Sequence, residues 1–367
     1  MTAASIQPAR TASSEAPEWV EAVGIRVAAV TAALLTGAAF LGATGHDPWT
    51  AYRAMAVGAV GSAFAIEQTL IRAIPLMLTG LGVALAFTMG LWNIGAEGQL
   101  AVGAIAASWL ALTVPDLPRP AMLPGLVVLG MAGGAAWAFI PAALRAFAGM
   151  NEIISTLMLN YVALLWVDYL VFGRWADPTA FSFPYSRPFP ETAAFPALFG
   201  GVHLGLLLAL LAAAALAVVL GRTPWGYEIR AIGASPGAAR YAGMPVRRNI
   251  LLVMAASGAL AGLAGVGEVS GVIHRLQQGL SPGYGFTAII IAWLARQSPW
   301  AVVMVAVFFA MLLNGGFVIQ TTGVPAAIAY MIQALILFLV LASEYLVRRR
   351  RRRRAAAAAR TGLVAAQ

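Results

Sequence analysis

From Ile74 to Val114 almost every residue is Ala, Leu, Val, Gly, Ile or Met, and apolar runs of similar length recur along the chain. A helix that crosses a bilayer needs about 20 such residues. On that rule ten segments qualify, at about 22–42, 72–90, 98–114, 121–144, 152–172, 202–220, 249–270, 284–297, 299–320 and 325–346. The eighth is short before Arg296 and is expected to be tilted or only partly inserted. The run from Val23 to Leu41 follows acidic residues and is too long for a signal-peptide core, so it reads as a retained first span. Only 10% of the 367 residues are charged, against about 25% in soluble domains. One all-α polytopic membrane bundle therefore fits better than two soluble domains.

The arginines orient the bundle. With both termini cytoplasmic, the inner segments hold Arg145, Arg222, Arg230, Arg240, Arg247, Arg248, Arg296 and the block Arg348–Arg354. The outer segments hold Arg53, Arg72, Arg119, Arg174, Arg187 and Arg275, offset by Asp47, Glu67, Asp116, Asp177 and Glu191. That bias obeys the positive-inside rule. The expected organisation is a flexible cytoplasmic tail over 1–21, a membrane domain over 22–346 and a basic cytoplasmic tail over 347–367. Outer loops fall at 43–70, with an amphipathic surface helix, and at 173–201, rich in Pro and aromatics as an interfacial cap or a docking surface. The net charge of +9 does not indicate nucleic acid, because seven arginines sit in one juxtamembrane block suited to anionic lipid.

Several chemistries are excluded. There is no cysteine, and His46, His203 and His274 are far apart, so disulfides and a metal centre are not expected. All 23 basic residues are arginine; a phosphate-binding loop of the GxxxxGK[ST] type needs its lysine. Any ATP is therefore bound by a partner, and the chain itself takes no cofactor.

The most informative inner segment is Gly221–Arg248, with five arginines against Glu228. Ser235-Pro236 reads as an N-cap followed by proline at the first helical position, and Gly243 as a left-handed stop. The result is a capped helix of about two turns, too short to be stable alone. Polar residues inside the spans are the other signal, since such groups are costly in lipid and usually face the bundle or a cavity. Counting along the spans puts Asn93, Glu97 and Gln99 near the cytoplasmic end, level with Asn151 and Glu152. Asn160 lies about two turns further in, and Glu268 near the outside. Asn151 and Glu152 also suit helix capping. Asn93, Glu97 and Gln99 suit either a glycine-rich helix junction or contact with a substrate. The stretches GQLAVGAIAASWLAL, near residue 100, and GYGFTAIIIAWLARQ, near 285, echo each other on spans of opposite direction, as inverted repeats would.

WNIGAEGQLAVGA at 92–104, NEIISTLMLNYVA at 151–163 and AIGASPGAARYAGM at 231–244 resemble the permease subunit of bacterial ATP-binding-cassette importers. The branch is that of sugars and nucleosides, and the form NIGAEGQ is similar to the nucleoside-type permeases. The resemblance implies a separate ATPase subunit, a second homologous permease and an extracytoplasmic substrate-binding lipoprotein, at the cell's inner membrane. It also implies that Arg230, Gly233, Ser235, Pro236, Arg240 and Gly243 belong to the element that couples to the ATPase. The expected pathway residues are Asn93, Glu97, Gln99, Asn151, Glu152, Asn160 and Glu268. A simple sugar is the alternative cargo. An ion-coupled secondary transporter would leave the basic loop without a purpose, and no grouping of nucleophile, histidine and acid suggests a membrane enzyme.

Overall fold

The computed structural model describes residues 18–181 and 183–365, and among them it is almost wholly helical. Two units can be distinguished, residues up to 49 with 327 onward, and residues 50–326. The first holds α1 (Glu18–Ala43) and nearly all of α13 (Ala326–Ala365). Helix α1 starts at Glu18, so the expected tail boundary at 21 moves back; residues 1–17 lie outside the described residues. The apolar stretch Ala327–Val347 runs on as helix through the arginine block.

The second unit contains α2 (Pro48–Val60, from Thr50), α3 (Ala63–Thr88), α4 (Ala96–Thr113), α5 (Arg119–Ala148), α6 (Glu152–Phe172) and α7 (Gly205–Arg222). It continues through α8 (Pro224–Ala234), α9 (Pro236–Tyr241), α10 (Val246–Glu268), α11 (Tyr284–Leu294) and α12 (Pro299–Val318). Ten helices of the chain lie at the ten expected positions. Seven of the described helices are long and apolar enough to cross a membrane. Helix α11 is the shortest of the ten. Its 11 residues extend about 16 Å at 1.5 Å per residue, roughly half of a 30 Å hydrocarbon core.

Helix α3 is the axis of the bundle: every residue from Ala73 to Phe87 is buried. A helix apolar all round belongs inside a bundle. Around it, α5 and α10 pack through glycines at i,i+4 spacing, Gly130 and Gly134 against Gly258 and Gly262. A Cβ on Gly262 would strike the Gly130 carbonyl, and one on Gly103 of α4 would strike Gly262. Small residues let backbones approach where lipid supplies no hydrophobic drive. Buried Asn314 on α12 adds a polar clamp, donating to Gly58 O at 2.9 Å and to Thr69 Oγ1 at 3.1 Å.

Helix ends follow their local sequence. Gly149 takes the left-handed conformation at φ 66° and closes α5; Asn151 then caps α6, its side chain accepting from Ile153 N at 2.9 Å. The outer segment 43–70 contains the expected surface helix as α2, but α3 begins at Ala63, nine residues before the expected start at 72. The Pro- and aromatic-rich segment 173–201 holds one short 3-10 turn and part of a small hairpin, Ala197–Phe199 with Val202–His203. Within it the Thr179 hydroxyl and N–H donate to Asp177 and hold its carboxyl below the usual carboxylate range.

Candidate functional site

Helix α3 ends where Gly90 turns the chain at φ 78°. Residues 91–95 are not helical, yet Leu91, Asn93, Gly95 and the start of α4 are buried. Non-helical backbone at membrane depth must find its hydrogen bonds within the protein. Two amides meet that need. Asn93 and Gln99 bond to each other through both amide groups, at 2.9 Å each, and Asn93 also donates to Ser257 Oγ on α10 at 2.8 Å. Asn93 Oδ1 further accepts from Gly95 N. From α6, Asn160 accepts from Gly98 N and donates to Ile94 O, both at 2.8 Å. These three amides are a clamp on an interrupted helix.

Glu97 has a different partner. Its Oε2 accepts from Gly285 N at 2.7 Å, at the first turn of α11. No side chain of its own caps α11, which begins from left-handed Gly283. Free N–H groups at a helix start need acceptors, and the helix dipole favours a negative charge there. Glu97 provides both. Gly285 is required by close approach: a Cβ there would strike the Glu97 backbone. Two helix starts thus abut, α4 and α11, with one carboxylate between them. From this point α4 runs toward α5, where Leu110 packs on Gly125. Helix α11 runs the other way, bringing Ile291 to Gly80 of α3 and Trp293 to within 6.1 Å of Trp92. The two echoing stretches of sequence are these two helices.

This arrangement corrects two expected depths. Glu97 is not level with Asn151 and Glu152. Glu152 instead sits beside Trp92, accepting from its backbone N at 3.4 Å and pairing with Arg145 Nε at 3.3 Å. Glu97 lies beside Gly98, hence at the level of Asn160. The cause is the extended backbone: about four residues at 3.3 Å climb as far as two helical turns at 5.4 Å. Nor are Glu97 and Glu268 at opposite ends of the pathway. Tyr284, next to Gly285, lies within electrostatic reach of both carboxylates and of Arg72 on α3. A half-length α11 starts inside the bundle, and so its first residues meet both acids.

Near the α11 start and the outer hairpin, four buried polar atoms have no partner among the described residues: Arg72 Nε, Thr192 Oγ1, His203 Nε2 and Ser270 Oγ. Buried polar groups normally find one. The sequence reading passed over Arg72, His203 and Tyr284 as pathway residues; an arginine and a histidine bordering apolar runs were the available signal. No group of three metal-ligating side chains occurs among the described residues.

On the opposite face the expected single helix is two. Thr223 caps α8, accepting from Gly226 N at 3.1 Å with Pro224 next. Ser235 caps α9 as its sequence suggested, accepting from Ala238 N at 3.3 Å, with Pro236 first and Gly243 left-handed at φ 80° after it. Arg230 and Gly233 lie on α8, not on α9. Helix α8 is anchored: Gly233 packs on the Thr88 carbonyl, and Trp225 Nε1 and Glu228 both bond Asn249 of α10, at 2.8 and 2.7 Å. Helix α9 buries only Ala239, leaving Arg240 exposed and Tyr241 97% exposed. A missed residue is Tyr241, an aromatic on a short polar helix, the kind of side chain that anchors interfaces.

Long apolar helices around an interrupted, amide-clamped centre, with an exposed capped helix fixed to one end, define a multi-pass membrane transport protein. Residues 65–341 match the family described as branched-chain amino acid transport system / permease component, and the chain belongs to that family. It is 41% identical over 345 residues to the glucose ABC transporter permease protein TsgB13 of Haloferax volcanii, covering 90% of each chain. It is 34% identical over 325 residues to the nucleoside ABC transporter permease protein NupB of Lactococcus lactis subsp. cremoris, covering 85% of this chain and 88% of that one. The guanosine ABC transporter permease protein NupP of Bacillus subtilis is 34% identical over 332 residues, covering 87% and 93%. The chain is thus similar to transport permeases rather than to enzymes.

Proposed function

We propose that the chain is the membrane-spanning subunit of an ATP-driven importer of nucleosides, with the junction of α4 and α11 on its translocation pathway. The observation that carries this is the meeting of two helix starts around Glu97, with Tyr284, Glu268 and Arg72 in electrostatic reach of one another, inside an apolar bundle. Interrupted helices that point their N-termini at a buried site are how many transporters hold polar cargo. Asn93, Gln99 and Asn160 keep that junction open to polar groups; Asn151 and Glu152 shape its inner end. In this reading ten helices cross the bacterial inner membrane, both termini are cytoplasmic, and the tails flank one membrane domain.

ATP is hydrolysed by a partner ATPase, which docks on α9 through Ser235, Pro236, Arg240, Tyr241 and Gly243. Arg230 and Gly233 hold α8 as its lever. A second, homologous permease completes the channel, and an outer substrate-binding lipoprotein delivers the cargo. Relatives named for nucleosides and guanosine support that cargo. The second reading, a simple sugar, is favoured by the relative named for glucose. Labelled guanosine and glucose offered to cells carrying the whole transporter decide between them, the favoured cargo entering and the other failing to compete. Replacing residues 235–243 by a flexible Gly/Ser linker is expected to abolish ATPase co-purification and uptake while membrane insertion persists; unchanged uptake refutes the coupling role.

Glu97→Ala is expected to stop uptake, because α11 loses its acceptor and the junction its charge. Glu97→Gln keeps an acceptor for Gly285 N–H and should recover assembly better than uptake. Normal transport by the alanine variant would remove Glu97 from the pathway.

A further inference from the structure

Where α3, α5 and α10 end near α8 and α9, the protein encloses a cavity of about 490 Å³. Three arginines line it, Arg145, Arg240 and Arg247, and no acid does. Arg145 is bridged by Glu152, and no described residue pairs with Arg240 or Arg247, so the cavity keeps about two positive charges. Leu91, Phe147 and Ile250 supply apolar walls, and Phe147 is 66% exposed, which leads the wall out onto the apolar surface of the bundle. A neighbouring cavity shares Arg240 and Arg247 and adds Arg248.

We propose that this cavity is a binding site for the phosphate headgroup of an anionic phospholipid, with its acyl chains leaving along Phe147. The inference rests on the orientation given above, which sets these helix ends at the inner headgroup layer. Basic pockets between transmembrane helices on that side suit lipid phosphates, and the guanidinium fork matches phosphate oxygens bidentately. An acidic surface of a partner protein would need the charge but not the apolar wall; the combination selects a lipid. The lipid would fasten α9, the docking helix, to the ends of α5 and α10.

The test is native mass spectrometry of the full-length chain in mild detergent, titrated with phosphatidylglycerol or phosphatidylcholine, without any transport readout. The expected result is selective retention of phosphatidylglycerol. Arg247→Gln should lower that retention about fivefold, and Arg247→Lys should restore much of it. Arg222→Gln, at the end of α7 and outside the cavity, should bind as the parent does. The block Arg348–Arg354 is common to all these proteins, so the differences read the cavity. Equal retention of both lipids, or full phosphatidylglycerol retention by Arg247→Gln, overturns the proposal. Loss of ATPase co-purification by Arg247→Gln with lipid retention intact would overturn it too, in favour of an acidic protein surface. None of these outcomes bears on which cargo is carried.

Discussion

Gly262→Val is expected to prevent the bundle from assembling. The new side chain would strike the carbonyl of Gly130 and crowd Gly134 Cα at 3.1 Å, both on α5, and Gly262 is also where α4 approaches through Gly103. The obstacles are backbone atoms, which cannot swing aside as a side chain can. Separating α10 from α5 would also undo the contact between Gly134 and Gly258 one turn away. The cost should exceed the roughly 1–3 kcal/mol usual for an overpacked core. Size-exclusion chromatography of a fluorescent fusion reads it: the parent elutes as one peak and the variant as aggregate. Gly221→Ala, which meets nothing within 4 Å, should elute like the parent. A monodisperse Gly262→Val would show that the α5–α10 contact does not hold the bundle together.

Asn160→Leu is expected to be nearly as damaging, by a different route. The residue is buried, and its amide serves both Gly98 N–H and Ile94 C=O. Leucine fills the space but leaves two backbone groups unpaired in an apolar setting, at about 1–3 kcal/mol each. On the order of 10 °C should be lost from the thermal midpoint in detergent, with uptake lost as well. Asn160→Asp keeps the acceptor for Gly98 N–H and should fall between. Asn151→Ala removes an ordinary helix cap worth about 1 kcal/mol and serves as the reference. Equal midpoints for the Asn160 and Asn151 variants would mean that the interrupted segment does not depend on the clamp.

These two sites differ in how far they could be read beforehand. The spacing of Gly130 with Gly134 and of Gly258 with Gly262 is visible as GxxxG in each segment, though not which segment meets which. Asn160 was recognisable as a polar residue at depth, but not its partners 62 and 66 positions away.

Local chemistry was carried by the sequence itself. Apolar length marked where the ten helices lie, because a bilayer imposes it. Caps at Asn151 and Ser235 and the stop at Gly243 were legible, because each involves only neighbours along the chain. Helix α8 was passed over although Thr223-Pro224 offers the same kind of signal as Ser235-Pro236. What the tertiary structure alone decided is depth and pairing. Counting residues treats extended and helical backbone alike, so it left Glu97 two turns too shallow. Composition cannot tell a face turned to lipid from one turned to the core, since both are apolar, and so it could not choose partners for α3, α5 or α10. The meeting of Glu97 with Gly285, 188 residues apart, depends on two helices that each start inside the bundle, a property of how the chain is packed.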